Sequence, residues 1–311
     1  MENNNQLALG IDIGGTNIAF GLVDRQGTII WESNFKTKDY ATPTDFVKTL
    51  QEAIPTEWVQ QIVGVAAGAP NGNIATGRIE FAPNLHWKGM IPLAEILSQQ
   101  FNVPAYVTND ANAAAIGEKI FGVAKLYNHF VTITLGTGLG SGIVNDGKIV
   151  NGGFGFAGEF GHFRTINNGR LCSCGRKGCL ETYASATGMV RSISELEHAS
   201  KSESALTQLP NPTSKDIVDL ALAGDTFALY IIDFTAEILG NALADFMCFS
   251  NPEAYVLFGG CAHAGTFFSD KVKYHMEQNA LNIYQNRTEI LISELQDRNA
   301  AVLGTAAIVF N

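Results

Sequence analysis

Residues Asp12-Ile13-Gly14-Gly15-Thr16-Asn17 decide how this chain folds. They follow an apolar run from Leu7 to Ile13 and lead directly into Asn17 to Asp24, which alternates like a second strand. Two β-type runs joined by a short glycine turn make a hairpin. A dinucleotide-binding turn opens a helix instead and is spaced G-x-G-x-x-G, a pattern that this stretch does not follow. Glycine lets backbone N–H groups close on an anion and Thr16 adds a hydroxyl, so the turn suits a phosphate as well as a plain hairpin.

The same unit recurs. Phe130 to Leu135 reads as a strand, Gly136-Thr137-Gly138-Leu139-Gly140-Ser141-Gly142 as a second glycine turn, and Ile143 to Val150 as a strand with hairpin chemistry at Asn145-Asp146-Gly147. Two such units in one chain predict a duplicated fold whose halves each supply a phosphate-facing turn. A third turn, Gly259-Gly260, ends the buried run Ala254 to Phe258, at the strand end where open α/β folds bind ligands.

Further strands are expected at Thr28 to Phe35, Ile62 to Ala67 and Ala105 to Thr108. Helices are expected behind Thr42, from Pro92 to Phe101, from Asn109, over Thr213 to Ala223 with a Thr213/Asp216 cap, over Phe227 to Phe249, and over Asn299 to Phe310. Ser194 to Leu209 reads as a polar insertion. Asp110 falls at a helix start, where the macrodipole favours an ionised carboxylate, and a simple cap is the competing reading. Asn84, in Pro83-Asn84-Leu85, is either a turn residue or a ligand contact.

The densest chemistry lies between Glu159 and Glu181. Glu159-Phe160-Gly161-His162 precedes Cys172-Ser173-Cys174, then Cys179-Leu180-Glu181, so three of the chain's five cysteines stand within eight residues. Thiolates and a neutral imidazole are the ligands of tetrahedral structural zinc, which predicts a site made of His162, Cys172, Cys174 and Cys179. An odd number of clustered cysteines without a secretory signal argues against a disulfide.

With 311 residues and 46% hydrophobic composition, the chain has material for two domains. A net charge of −10 and the lack of a Lys/Arg run speak against nucleic acid as a partner. No run of apolar residues reaches bilayer length, so no membrane partner and a cytoplasmic location are expected.

The five motifs together, Asp12 to Thr16, Asn109-Asp110-Ala111-Asn112, Leu135 to Gly140, Glu159 to His162 and Cys172 to Glu181, resemble the ROK family of sugar kinases, within the actin, Hsp70 and hexokinase superfamily. The resemblance spans essentially the whole chain. It implies a two-domain α/β fold of the actin-like ATPase (ribonuclease H-like) class. The small domain would comprise residues 1–109 plus 296–311, and the large domain residues 110–295 with the zinc knuckle. It further implies ATP-dependent phosphorylation of a hexose, glucose first, with an N-acetylhexosamine or fructose as alternatives, and ATP, Mg2+ and structural Zn2+ as cofactors.

Carried onto this chain, Asp110 is the general base. Asn84, Asn109, Asp110, Glu159, His162 and Glu181 hold the sugar, and Asp12, Gly14, Gly15, Thr16, Gly136, Thr137, Gly138, Gly259 and Gly260 face the nucleotide. His162 also joins the three cysteines as a zinc ligand. A homodimer is expected. Two rivals are a ROK-type sugar-responsive transcriptional regulator, whose DNA-binding helices would precede the first glycine turn, and a nucleotide switch of the actin or chaperone kind. The switch needs no Asp110 with Glu159, His162 and Glu181.

Overall fold

The first hairpin pairs Leu7–Ile13 with Asn17–Val23, Asp12 opposite Ala19, in the computed structural model, which describes residues 6–295 and 300–310. Leu9, Ile11 and Ile13 are fully buried with Ile18, Phe20 and Leu22 of the partner strand. Leu7–Ile13 also pairs in parallel with Ile62–Gly68, and that strand with Ala105–Thr108. The sheet order is Ile29–Lys36, Asn17–Val23, Leu7–Ile13, Ile62–Gly68, Ala105–Thr108.

The second hairpin repeats this plan. Phe130–Leu135 is antiparallel to Leu139–Asn145 on one side and parallel to Ala254–Phe258 on the other, which in turn pairs in parallel with Glu289–Ile292. The second glycine turn is shorter than the sequence suggests. Gly140 and Gly142 are strand residues, opposite Thr134 and Thr132, so the turn is confined to Gly136, Thr137 and Gly138. Asp146 and Gly147, with φ of 50° and 72°, supply the left-handed turn expected there.

The chain divides into two compact units, Met1–Leu126 with Lys148–Ala157 and Glu294–Asn311, and Tyr127–Gly147 with Gly158–Ser293. Helix Asp110–Ile120, which the sequence assigns to the large domain, belongs to the first unit. Its cause is a close helix pair. A Cβ on Gly304 would lie 1.7 Å from the Ala113 carbonyl oxygen, so glycine lets helix Ala300–Phe310 rest on helix Asp110–Ile120. The expected beginnings of the closing segment, at Gln296 and Asn299, lie outside the described residues.

Each unit has its own core. Phe20, Phe46, Leu50 and Leu97 are fully buried in the first, and Phe227, Leu239, Tyr255 and Phe268 in the second. Burying each such side chain contributes about 1.5–3 kcal/mol. Helix Thr226–Ser250 is long and apolar enough to cross a membrane, but two-thirds of its apolar window is buried within the protein, as befits the central core helix of the second unit.

Candidate active site

In the first unit the glycine turn is held by backbone and by Thr37. Gly14 N–H donates to Asn17 O (2.9 Å), Thr37 N–H donates to Thr16 O (3.0 Å), and the Thr37 hydroxyl donates to Gly14 O (2.7 Å). A Cβ on Gly15 would lie 2.6 Å from Asn84 O. Only glycine allows that approach, which sets the Asn84 loop against the turn.

Asn109 and Asp110 divide the roles that the sequence left open. Asn109 is the cap, its Oδ1 accepting from Ala111 N–H (2.8 Å) and Asn112 N–H (3.4 Å). The cap uses the carboxamide oxygen. Asp110 is the first helical residue, and its Oδ1 accepts from Ala111 N–H (2.9 Å).

The helix start does not by itself set the proton affinity of Asp110. The Asp110 side chain reaches solvent, but protein atoms crowd around it, and this desolvation raises its pKa more than the backbone donors at Ala111 and Asp110 lower it. Asp12, near the end of strand Leu7–Ile13, is pushed up to about 7, first by burial and then by the charge of Asp110. The charge of Asp110 is thus felt at Asp12.

The second unit assembles the Glu159–Glu181 chemistry. The 3₁₀ turn Phe160–His162 is pinned to strand Leu139–Asn145. Ser141 hydroxyl donates to Gly158 O and accepts from Phe160 N–H, and a Cβ on Gly161 would lie 2.0 Å from Leu139 O. Phe160 and Phe163 pack on Phe246 of the core helix with ring centroids 3.9 and 5.1 Å away. The cysteine loop closes through Cys172 N–H to Arg176 O (2.9 Å) and Gly175 N–H to Cys172 O (3.0 Å), with Gly175 at φ 83°.

One ligand atom each from His162, Cys172, Cys174 and Cys179 lies within 4.8 Å of all the others. His162 Nδ1 stands 3.6 Å from Cys172 Sγ, and the Cys174 and Cys179 sulfurs are 3.7 Å apart. Tetrahedral zinc with Zn–S of about 2.3 Å and Zn–N of about 2.0 Å places its ligands about 3.5–3.8 Å apart, so the cluster fits that ion. Without a cation, burial and the Glu181 carboxylate push the Cys172 thiol up to about 12, so ligation is tied to proton release.

Glu181 links the cluster to the second glycine turn. Its Oε1 accepts from Cys172 Sγ (3.1 Å) and Ser173 Oγ (3.4 Å), and its Oε2 accepts from Leu139 N–H (3.4 Å). Thr187 hydroxyl donates to Thr137 O (2.6 Å) and Ala186 N–H to Gly136 O (2.9 Å). Gly259, at φ 103°, seats its Cα by Leu135 O, where a Cβ would lie 2.7 Å away, so the third glycine turn touches the second. Gly136 has open space around its Cα.

Thr37, Ser141 and Thr187 are the supports that sequence reading missed. Helix Ala186–Glu195, which carries Thr187, shows an apolar Ala186, Met189, Val190, Ile193 spacing that would have revealed it. Thr37 and Ser141 have no such local signal, since each acts on a segment distant in sequence.

The sequence model of the ROK family matches residues 8–311. A glucokinase of Halalkalibacterium halodurans is 36% identical over 97% of this chain and 94% of its own. The xylose repressor of Caldicellulosiruptor bescii is 32% identical over 97% of this chain and 78% of its own. Among solved structures, a ROK family glucokinase from Streptomyces griseus in complex with glucose and AMPPNP has a TM-score of 0.82, with 32% identity over 97% of this chain and 98% of that one.

Proposed function

The chain belongs to the ROK family, and from that premise we propose that it transfers the γ-phosphoryl group of ATP to glucose, giving glucose 6-phosphate. The observation that carries this reading is the Cys3His cluster of the second unit, whose Glu181 touches a glycine turn, and the first unit separately holds an up-shifted Asp110 at a helix start. The Streptomyces griseus glucokinase, which resembles this chain over nearly its whole length, binds glucose and an ATP analogue, which supports the same assignment.

In this mechanism Asp110 accepts the proton from the sugar's C6 hydroxyl as that oxygen attacks the γ-phosphorus. The bond to the bridging oxygen breaks and ADP leaves. Desolvation strengthens the carboxylate as a base by raising its proton affinity. Asn84, the Asn109 amide, Glu159, His162 and Glu181 offer the mixed donors and acceptors that a neutral polyol needs. With Nδ1 facing the cysteine sulfurs, His162 keeps Nε2 for a sugar hydroxyl.

The turns Gly14–Thr16 and Gly136–Gly138 present backbone donors to phosphate oxygens, and Gly259-Gly260 lies beside the nucleoside. Mg2+, bound with the ATP phosphates, supplies charge neutralisation, and Asp12 is the residue of this chain suited to face it. Zn2+ held by His162, Cys172, Cys174 and Cys179 is structural, because four protein ligands leave no open position.

The xylose repressor relative favours a second reading, a sugar-responsive regulator. A coupled assay of ADP release over a panel of hexoses separates the two. Turnover fastest with glucose is expected, and no phosphoryl transfer to any hexose would overturn the kinase assignment.

A further inference from the structure

Lysine is scarce in this acidic chain, with 20 Lys and Arg against 30 Asp and Glu, yet two lysines stand beside the first glycine turn. Lys36 and Lys38 join Gly15 and Thr16 in lining a recess of about 320 Å³. That is room for about ten water molecules, or for several phosphoryl groups. Their placement follows from Thr37 between them. It is fully buried and tied to both Gly14 O (2.7 Å) and Thr16 O (3.0 Å), so the lysine segment is fixed to the backbone of the turn.

Neither ammonium group is tied up in an ion pair among the described residues, so both can meet an anion in the recess. Arg170, Arg191, Lys201, Lys215 and Lys271 each meet a carboxylate. Lys36 Nζ instead donates to the neutral Asn17 Oδ1 (2.6 Å), and Lys38 has no ion-pair partner among the described residues. Asp39, next along the chain, is the nearest acid in sequence. Two unpaired cations fixed to a glycine turn make a site for an anion with several oxygens.

We propose that this recess is an anion subsite for a phosphate anhydride chain, with Lys36 and Lys38 binding phosphoryl oxygens that lie beyond the reach of the turn's own N–H groups. The chain has two sources: the tail of a nucleoside triphosphate, or an inorganic phosphate chain free of nucleoside. The assignment rests on the kinase reading only for the first source. Binding of the second is measurable whether or not the protein is a kinase.

The test uses the full-length protein and inorganic tripolyphosphate as probe. Calorimetry measures tripolyphosphate binding, and steady-state kinetics measure KM for ATP and for glucose, in the wild type, in Lys36→Gln/Lys38→Gln, and in Lys48→Gln/Lys148→Gln as a control for net charge. About a tenfold loss of tripolyphosphate affinity or a similar rise in the ATP KM is expected in the first variant only, with the glucose KM unchanged. Loss confined to ATP identifies the nucleotide tail as the occupant, and loss confined to tripolyphosphate identifies the nucleoside-free chain. The proposal is overturned if neither constant moves, or if the control pair moves them equally. A wild type without hexokinase activity that still loses tripolyphosphate binding in the Lys36/Lys38 variant defeats the kinase reading and leaves the recess standing.

Discussion

The two glycine hairpins have the same plan and different supports. In the first unit, Gly14–Thr16 is tied to the backbone and hydroxyl of Thr37 and packs on the Asn84 loop, with Gly15 against Asn84 O. In the second, Gly136–Gly138 is tied to helix Ala186–Glu195 by Ala186 N–H on Gly136 O and by the Thr187 hydroxyl on Thr137 O, and Glu181, on the neighbouring Leu139 N–H, in turn touches Cys172 of the Cys3His cluster. One turn is therefore closed by a tight backbone approach, while the other has open space at Gly136 and borders a carboxylate shared with the cysteine cluster. A duplicated motif gets its behaviour from what surrounds it.

The strongest way to break this comparison is at the chemistry attached to the first turn. Asp110→Asn removes the proposed base without changing side-chain size. It should lower kcat about 10²–10⁴-fold and leave glucose and ATP affinity near wild type, by rapid-quench kinetics and equilibrium binding. Turnover close to wild type would move the base to another residue.

Next in size is loss of the metal from the second unit. Cys174→Ser should abolish stoichiometric zinc by elemental analysis and raise the glucose KM by about tenfold or more, on the scale of 10–100-fold for disturbed metal shells. If Glu181 transmits the disorder to Leu139 N–H, the ATP KM should rise as well, but by less. A fully active variant without zinc would show that Glu181 needs no ordered cluster.

The turns themselves can be compared by one pair of substitutions. Gly15→Ala puts a Cβ 2.6 Å from Asn84 O and should cost about 1–3 kcal/mol of stability by chemical denaturation. Gly136→Ala meets open space and should stay within about 0.5 kcal/mol, while still raising the ATP KM if phosphate oxygens approach that Cα. Equal stability losses would remove the distinction between a turn packed against backbone and one with open space.

The same contrast explains what the sequence revealed. Hairpins, helix caps and the cysteine spacing are local, so Leu7–Val23, the Thr213/Asp216 capping box and the Cys3His set are legible from neighbouring residues. Gly140 and Gly142 were misread because glycine composition marks a turn, whereas cross-strand pairing with Thr134 and Thr132 makes them strand. The upward shift of Asp110 was not legible because the helix dipole is visible in sequence and desolvation by distant segments is not. The lysine recess stayed hidden for a related reason. Lys36 and Lys38 are about twenty residues from Gly15 and Thr16, and only the fold, through Thr37, unites them.

The smallest expected effect is a pH dependence confined to the first unit. Folded Asp12 has a pKa of about 7 against an ordinary value of 3.8, raised first by burial and second by Asp110. Between those values the folded protein keeps a proton that the unfolded chain has released, so the native state binds more protons, and stability falls as pH rises toward 7. Above the folded pKa both states are ionised and the loss is complete. Asp12→Asn should therefore flatten the decline of unfolding free energy between about pH 4 and about pH 7 in metal-free protein, measured by urea denaturation. Asp110→Asn should flatten it too, both by removing the charge that raises Asp12 and by removing a second up-shifted acid. Adding Mg2+ with AMPPNP should lower the Asp12 pKa and release a proton, detectable as a buffer-dependent enthalpy in calorimetry. A wild-type profile unchanged by Asp12→Asn would mean that the first turn carries no buried charge, and the two turns would then differ in their supports alone.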